Sequence, residues 1–430
     1  MRHFKILNSE GKFFSKLSGD DNQIHLNDLA GYNSIFGEKI CHGSLVVLKA
    51  FKIINLKKII NNAKRYSIKI IFFKHFIYNQ KIKIIKKNYT YKLIQQNQLV
   101  AELIILNKNK LSYYNLGKKR LSLKINKKSF NRFYKGNQNK ELPMLLGNLT
   151  KYVGTIYPGK NSLIREININ FNEKFKFNNY KTDIFSKIVD ARYPIINNKI
   201  LFKNYFIEFV TLERPIFKYK KSKIKKSIIK SIKKIKENIL ILGASSGIGF
   251  ELLNIMKYNK KVKIFGTYSK NKILIKQKNL EIKKVDLNKS LYEIKKILNK
   301  LNSFIIYYFA TPKIDININN KKSLKIYKNF YIKYPLKILS FCKNKNVKFF
   351  YPSTIFIGKG NSHYVKIKEE AEKKISKLKS KKLFISILRI NEVNTKQNLS
   401  LVRKKLPSFI DLLNLNKKYQ DKTFLKKIYK

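Results

Sequence analysis

Acidic residues are scarce in this chain: 25 Asp+Glu stand against 94 Lys+Arg over 430 residues, a formal net charge of +69. An excess of that size ordinarily points to nucleic acid or an anionic membrane. Here it is nearly all lysine, runs from end to end and accompanies heavy use of Ile and Asn, the bias that an AT-rich coding sequence imposes whatever the protein does. A dedicated nucleic-acid binder concentrates Arg and aromatics on one face, so no such partner is expected. Cysteine is nearly absent. Cys41 and Cys342 stand far apart in apolar settings, which excludes a disulfide framework and a cysteine metal site, and no metal is expected. Tryptophan is missing, and no uncharged apolar run approaches the ~20 residues that a membrane helix needs. Met1–Asn8 lacks the apolar core of a signal peptide. A reducing, cytoplasmic location is expected.

Against these absences one stretch stands out. Ser18-Gly19-Asp20-Asp21-Asn22-Gln23-Ile24-His25 places an acid and an imidazole five positions apart in a tight polar turn. Ile40-Cys41-His42-Gly43 then opens an apolar run to Phe51 that reads as a buried helix. A carboxylate and a histidine held together can activate one water between them. Backbone N–H groups at a helix start can hold the oxygen of a polarised thioester carbonyl. The bland alternative is a loop whose Asp and Asn only satisfy backbone donors.

The string resembles the signature of the MaoC-like, hot-dog-fold (R)-specific enoyl hydratases and dehydratases, Ser-Gly-Asp-x-Asn-Pro-x-His followed by a segment ending in His-Gly. Asp20, Asn22 and His25 match it, His42-Gly43 closes it, and Gln23 replaces its usual proline. The resemblance implies Asp20 and His25 as the water-handling pair and Gly43 as an oxyanion-hole amide. It also implies an α+β hot-dog region over residues 1–128, to which the β-rich stretches Tyr66–Phe73 and Leu99–Leu106 belong. Residues 129–217 contain another apolar helix from Leu142, a turn at Tyr157-Pro158-Gly159 and the alternating strand Ser162–Phe171. They read as a second hot-dog unit without the Asp…His pair, making a double hot-dog, or else as an unrelated insert. Residues 218–237 are dense in lysine with Ile224, Ile228, Ile232 and Ile235 at roughly helical spacing, and read as a basic connector.

Residues 238–430 change character. Ile239–Leu242 is a buried parallel-type strand, followed by Gly243-Ala244-Ser245-Ser246-Gly247-Ile248-Gly249 and an apolar helix. Strand and helix signals then alternate as in an α/β, Rossmann-type domain. Such glycines permit a tight turn and the close approach of a pyrophosphate to a helix N-terminus. Further on, Tyr364 and Lys368 stand four apart on one helix face, after a strand ending at Ser353-Thr354. An ammonium beside a phenol favours the phenolate, a usable proton carrier.

This order resembles the short-chain dehydrogenase/reductase family. The resemblance implies a cofactor turn at Gly243, Ser246, Gly247, Ile248 and Gly249, and an adenine contact at Asp286-Leu287. It implies a catalytic set of Ser353, Tyr364 and Lys368, with Thr354 as the runner-up hydroxyl. Tyr364 would protonate a carbonyl oxygen, Ser353 orient it, and Lys368 hold the nicotinamide ribose and lower the tyrosine pKa. Ser269 and Lys270 replace the usual acidic residue after the second strand, which favours NADP over NAD. The chain departs from the family at Tyr308-Phe309-Ala310-Thr311-Pro312, at Tyr331 in place of an asparagine, and at Asn391-Glu392 in place of Pro-Gly, while Thr395 keeps its position. The expected activity is bifunctional: NADPH-dependent reduction of a 3-oxoacyl thioester, and dehydration or hydration between 3-hydroxyacyl and 2-enoyl thioesters. The expected partners are acyl-CoA or acyl-carrier-protein thioesters, and the expected assembly a homo-oligomer. A reductase of an unrelated ketone or nucleotide sugar, a nucleotide-binding domain without catalysis, and a basic nucleic-acid or membrane binder are the alternatives.

Overall fold

The structure, a computed structural model, describes residues 2–56, 66–107, 118–119, 141–171, 184–190, 195–201, 205–219, 222–314, 321–378, 380–398 and 405–425. Two compact units divide it, one within Met1–Ile216, the other within Phe217–Leu399 and Lys404–Lys430. The expected boundary at residues 128–129 lies outside the described residues.

The first unit is one antiparallel sheet carrying two buried helices. Its strands are β1 (Arg2–Phe4), β2 (Tyr66–Phe72), β3 (Ile82–Lys87), β4 (Thr90–Gln95), β5 (Gln98–Asn107), β6 (Lys118–Lys119), β7 (Ser162–Phe171), β8 (Ile184–Asp190), β9 (Ile195–Leu201) and β10 (Tyr205–Glu213). Alternation drives them. In β4, Tyr91, Leu93 and Gln95 are buried while Thr90, Lys92 and Ile94 are partly open, the period-two pattern of a strand with one buried face.

The order across the sheet is β1-β3-β4-β5-β2-β7-β10-β9-β8-β6. Read inward from either edge, each half has the same sequence: first strand, third, fourth, fifth, second. The halves join where β2 runs antiparallel to β7, with Ile68 opposite Ile169 and Ile70 opposite Ile167. Helix Gly43–Ile54 precedes β2, and helix Glu141–Lys151 precedes β7. Leu45, Val46, Val47, Leu48, Ala50, Phe51, Leu145, Leu146 and Leu149 share one core with Ile68, Ile70, Ile167 and Ile169. Each half is thus a helix laid on a five-stranded sheet, and the second region is a topological repeat of the first. The second helix runs directly into a π-turn, Tyr152–Ile156.

The second unit is a six-stranded parallel sheet in the order β13-β12-β11-β14-β15-β16, formed by β11 (Asn238–Leu242), β12 (Ile264–Tyr268), β13 (Leu280–Lys284), β14 (Ser303–Tyr308), β15 (Asn346–Thr354) and β16 (Leu383–Ile390). This is the doubly wound Rossmann order, with its switch point between β11 and β14. The central strand is apolar on both faces because both are covered. Ile239 and Ile241 enter one core with Leu252, Met256 and Phe350. Leu240 and Leu242 enter the other with Ile306, Tyr351 and Ile367.

The connector expected at residues 218–237 is corrected. Helix Lys226–Lys233 buries Ile228, Ile232 and Ile235 in the core of the second unit. Asn259 Nδ2 donates to the carbonyls of Ile232 and Ile235 at 2.9 and 2.8 Å. The isoleucine stripe is therefore a packing face, ringed by solvated lysines. Ile232→Ala should cost about 2–5 kcal/mol, the scale of a buried large-to-small change, read by hydrogen exchange of the β11 amides in the intact chain. A free connector would lose no more than about 0.5 kcal/mol.

Candidate functional site

In the first unit the acid and the imidazole are built by local hydrogen bonds. Helix Asn8–Ser18 ends on Gly19, whose φ of 75° is the left-handed closure that glycine favours. Ser15 Oγ then donates to the Asp20 carbonyl at 2.6 Å, and Asp20 Oδ1 accepts from the Asn22 amide at 3.1 Å. Asn22 caps the short helix Gln23–Leu26 that carries His25. His25 Nδ1 lies 3.0 Å from the Ile40 carbonyl. A carbonyl only accepts, so Nδ1 carries the proton and Nε2 keeps its lone pair. The Ile40 amide in turn donates to the Ile24 carbonyl, tying the two segments together.

His42, the residue before helix Gly43–Ile54, stacks on His25 with ring centroids 4.0 Å apart and planes 27° apart. Gly43 is therefore the first residue of a buried helix immediately beside the pair, with its N–H among those that no helical carbonyl satisfies. A Cβ on Gly43 would lie 3.0 Å from the Phe72 ring. Asp20, His25 and His42 bring one potential ligand atom each within 4.8 Å of one another. The two rings lie too nearly parallel for their in-plane lone pairs to meet on one ion.

Burial tunes the pair in opposite senses. Loss of solvent raises Asp20 to about 7, against the opposing Asn22 amide, with Asp21 raising it further and Arg214 lowering it. The same loss of solvent lowers His25 to about 4, opposed by its bond to Ile40. At neutral pH the imidazole is a neutral base, while the carboxyl is half protonated.

The second half of the sheet completes this site, which no local pattern foretells. Gly154, in the π-turn, presses against the acid: a Cβ there would lie 2.5 Å from Asp20 Oδ1. Lys160 Nζ is 3.7 Å from Asp21 Oδ2. Arg214, next after β10, acts electrostatically on both Asp20 and His25. It belongs to no motif that the sequence displays.

In the second unit the residues singled out from sequence gather at the carboxyl ends of the parallel strands, where ligands of such sheets bind. Gly243 comes directly after β11 with φ 79°, and a Cβ there would lie 2.7 Å from the Ala310 amide nitrogen. Its own N–H donates to Thr267 Oγ1 at 3.1 Å. A Cβ on Gly249 would overlap the Gly243 carbonyl, and one on Gly247 would meet the Thr395 methyl at 3.2 Å. Ser246 precedes helix Gly247–Met256 without capping it through its side chain, and Ile248 packs on the core behind it. The turn is thus a cradle of bare backbone that side chains would fill, the shape a pyrophosphate requires. Ser269 and Lys270 are exposed just beyond β12. Asp286 Oδ1 accepts from the Asn288 amide at 3.1 Å, and Leu287 is buried.

The residues singled out for catalysis gather around helix His363–Ser376. The Thr354 hydroxyl bonds Tyr364, and the buried Ser353 hydroxyl acts on Glu372 of the same helix. Tyr364 is not pulled down by Lys368. Burial pushes it up to about 12, and the Thr354 bond opposes this. Lys368 is itself lowered to about 7 by burial, with Glu372 opposing. Its Nζ donates to the Pro352 carbonyl at 2.5 Å and lies 4.2 and 4.7 Å from the ring centres of Tyr331 and Tyr351. Tyr331 lies in a second π-turn, Asn329–Lys333, bonds Thr311 Oγ1 at 2.5 Å and meets Tyr364 edge to face. The missing asparagine is thus replaced by an aromatic ring that holds the ammonium.

No known family model matches the chain, and no curated protein does. Similar solved structures cover part of it. A short-chain dehydrogenase from Burkholderia cenocepacia in complex with NADP is 9% identical over 41% of this chain and 81% of its own, with a TM-score of 0.33. A bulky-bulky ketone specific alcohol dehydrogenase from Comamonas testosteroni is 13% identical over 44% and 84%, TM-score 0.34. A thiolation-reductase di-domain from an archaeal non-ribosomal peptide synthetase is 14% identical over 40% and 60%, TM-score 0.31.

Infrared titration should show two carboxyl groups changing near pH 7, Asp20 and Glu251, of which Asp20→Asn removes one. Gly154→Ala should shift or broaden that step, because the new methyl takes the space of the carboxylate. A carboxyl step near pH 7 that keeps its full amplitude in Asp20→Asn would show that Asp20 does not titrate there.

Proposed function

We propose that the chain is a bifunctional acyl-thioester enzyme, with a double hot-dog hydratase/dehydratase in the first unit and an NADP-dependent reductase of the short-chain type in the second. One observation carries the first half: an acid and a neutral imidazole, tuned apart by burial, stand beside the free N–H groups of a buried helix. For hydration, His25 Nε2 takes a proton from water as the oxygen attacks C3 of a 2-enoyl thioester. The Asp20 carboxyl delivers its proton to C2. The Gly43 N–H holds the charge that gathers on the thioester oxygen. Dehydration of a 3-hydroxyacyl thioester is the same path reversed.

For the second half, the glycine cradle supports a dinucleotide, with Ser269 and Lys270 placed to meet a 2′-phosphate. A nicotinamide dinucleotide held there would supply a hydride. Tyr364 gives its phenolic proton to the carbonyl oxygen, Thr354 orients that phenol, and the Lys368 ammonium holds the pocket's positive charge. A 3-oxoacyl group would leave as the 3-hydroxyacyl substrate of the first unit. Cytoplasmic CoA or acyl-carrier-protein thioesters remain the substrates proposed, and a homo-oligomer the proposed assembly.

The pH dependence comes from the two shifts. The reactive form needs His25 neutral, which holds above about 4, and Asp20 protonated, which holds below about 7. Crotonyl-thioester hydration, as kcat/KM, should therefore plateau between these values and fall about tenfold per pH unit above the higher. Asp20→Asn and His25→Ala should each lose about a hundredfold or more. A rate that climbs steadily through pH 7 would reverse the acid and base roles.

The enclosure of Lys368 between two tyrosine rings favours a second reading, a domain that binds the dinucleotide without reducing anything. Acetoacetyl-thioester reduction separates the two. A working reductase should favour NADPH over NADH, fall to near background in Tyr364→Phe and drop in Thr354→Val, with NADPH binding retained in both. Wild-type protein that binds NADPH in a calorimetric titration yet reduces no thioester would establish the binding domain.

A further inference from the structure

Arg214 takes no part in the proton transfers proposed for the first unit, yet it is built into that site. Its amide donates to the Asn161 carbonyl at 2.6 Å, and its Nη2 donates to the Lys160 carbonyl at 2.6 Å. The guanidinium is half-buried, and its Nε is enclosed without a hydrogen-bonding partner among the described residues. Asp20 attracts it from a distance, but no described carboxylate forms an ion pair with it. An enclosed N–H donor with nothing to bond costs stability, and a planar guanidinium fork matches a carboxylate or a phosphate bidentately.

We propose that Arg214 binds a carboxylate carried by the acyl chain itself, so that the first unit acts on thioesters of dicarboxylic acids; this rests on the hydratase reading. The phosphates of a pantetheine-bearing carrier do not fit the role. They are separated from the thioester by the length of the pantetheine arm, whereas Arg214 acts on the two groups that would handle C2 and C3. A carboxylate seated on Arg214 would also cancel its pull on Asp20 and favour the protonated acid that hydration uses.

The test compares glutaconyl and crotonyl thioesters of one carrier, which differ by a terminal carboxylate. Wild-type protein should favour the glutaconyl thioester by about 10- to 100-fold in kcat/KM, the scale of a charge-assisted pair. Arg214→Gln should bring that ratio to about one, and Arg214→Lys should keep part of it. Should Arg214→Gln fail to fold, wild-type inhibition decides: a glutaryl thioester should bind at least about tenfold more tightly than a butyryl thioester. Crotonyl hydration without a preference for the carboxylate, or a preference that survives in Arg214→Gln, would overturn this proposal alone. Hydration of neither thioester would overturn the hydratase reading with it.

Discussion

The pairing of β2 with β7 is the contact on which the first unit depends. It fuses two five-stranded halves into one sheet through the facing Ile68–Ile169 and Ile70–Ile167 rungs, and gives helices Gly43–Ile54 and Glu141–Lys151 a common core. Because each half ends its order at this seam, the π-turn after the second helix reaches the loop that precedes the first. Gly154 thereby meets Asp20. A slip of one residue at the seam would turn the isoleucines to the other face and carry Gly154 away from the acid.

Desolvation acts on both candidate sites. It raises Asp20 and lowers His25 in one unit, and raises Tyr364 and lowers Lys368 in the other. In each case burial favours the neutral form, and a named hydrogen bond or charge partly restores the ionised one. The outcome differs because the partners differ. The proposed hydratase pair ends with one group ready to give and one ready to take a proton. The Tyr364–Lys368 pair instead has its phenol proton held tightly, because burial of the phenol outweighs its bond to Thr354.

The sequence discloses those features that depend on near neighbours. The strand Ser162–Phe171 is readable to its ends, and β11 with its glycine turn likewise, because alternation, apolar runs and glycine clusters are local. The helix from Gly43 is legible in place and runs three residues beyond its apolar stretch. The isoleucine stripe of residues 224–235 misleads because the surrounding lysines suggest solvent on every side. Its burial depends on Asn259 and Val262, which come from elsewhere in the fold. Ser353 and Thr354 differ by one step along a strand, and only the fold decides that Thr354 meets Tyr364 while Ser353 meets Glu372. Gly154 and Arg214 lie far from Asp20 in sequence and belong to no motif, so the site they complete emerges only from the sheet.

The repetition of strand order in the first unit is not matched by repetition of chemistry. Residues 120–140, which lead to the second helix, contain no histidine, aspartate or glutamate, whereas the segment leading to the first contains Asp20, His25 and His42. On the proposed reading, a repeated scaffold thus carries one reactive centre rather than two. Its duplicate has become wall and ballast, supplying a glycine face and a cation to its neighbour. In counting terms, the proposed hydratase reading gives each chain a single acyl-binding equivalent from a fold with room for a pair, so that the repeat relates shapes but not functions.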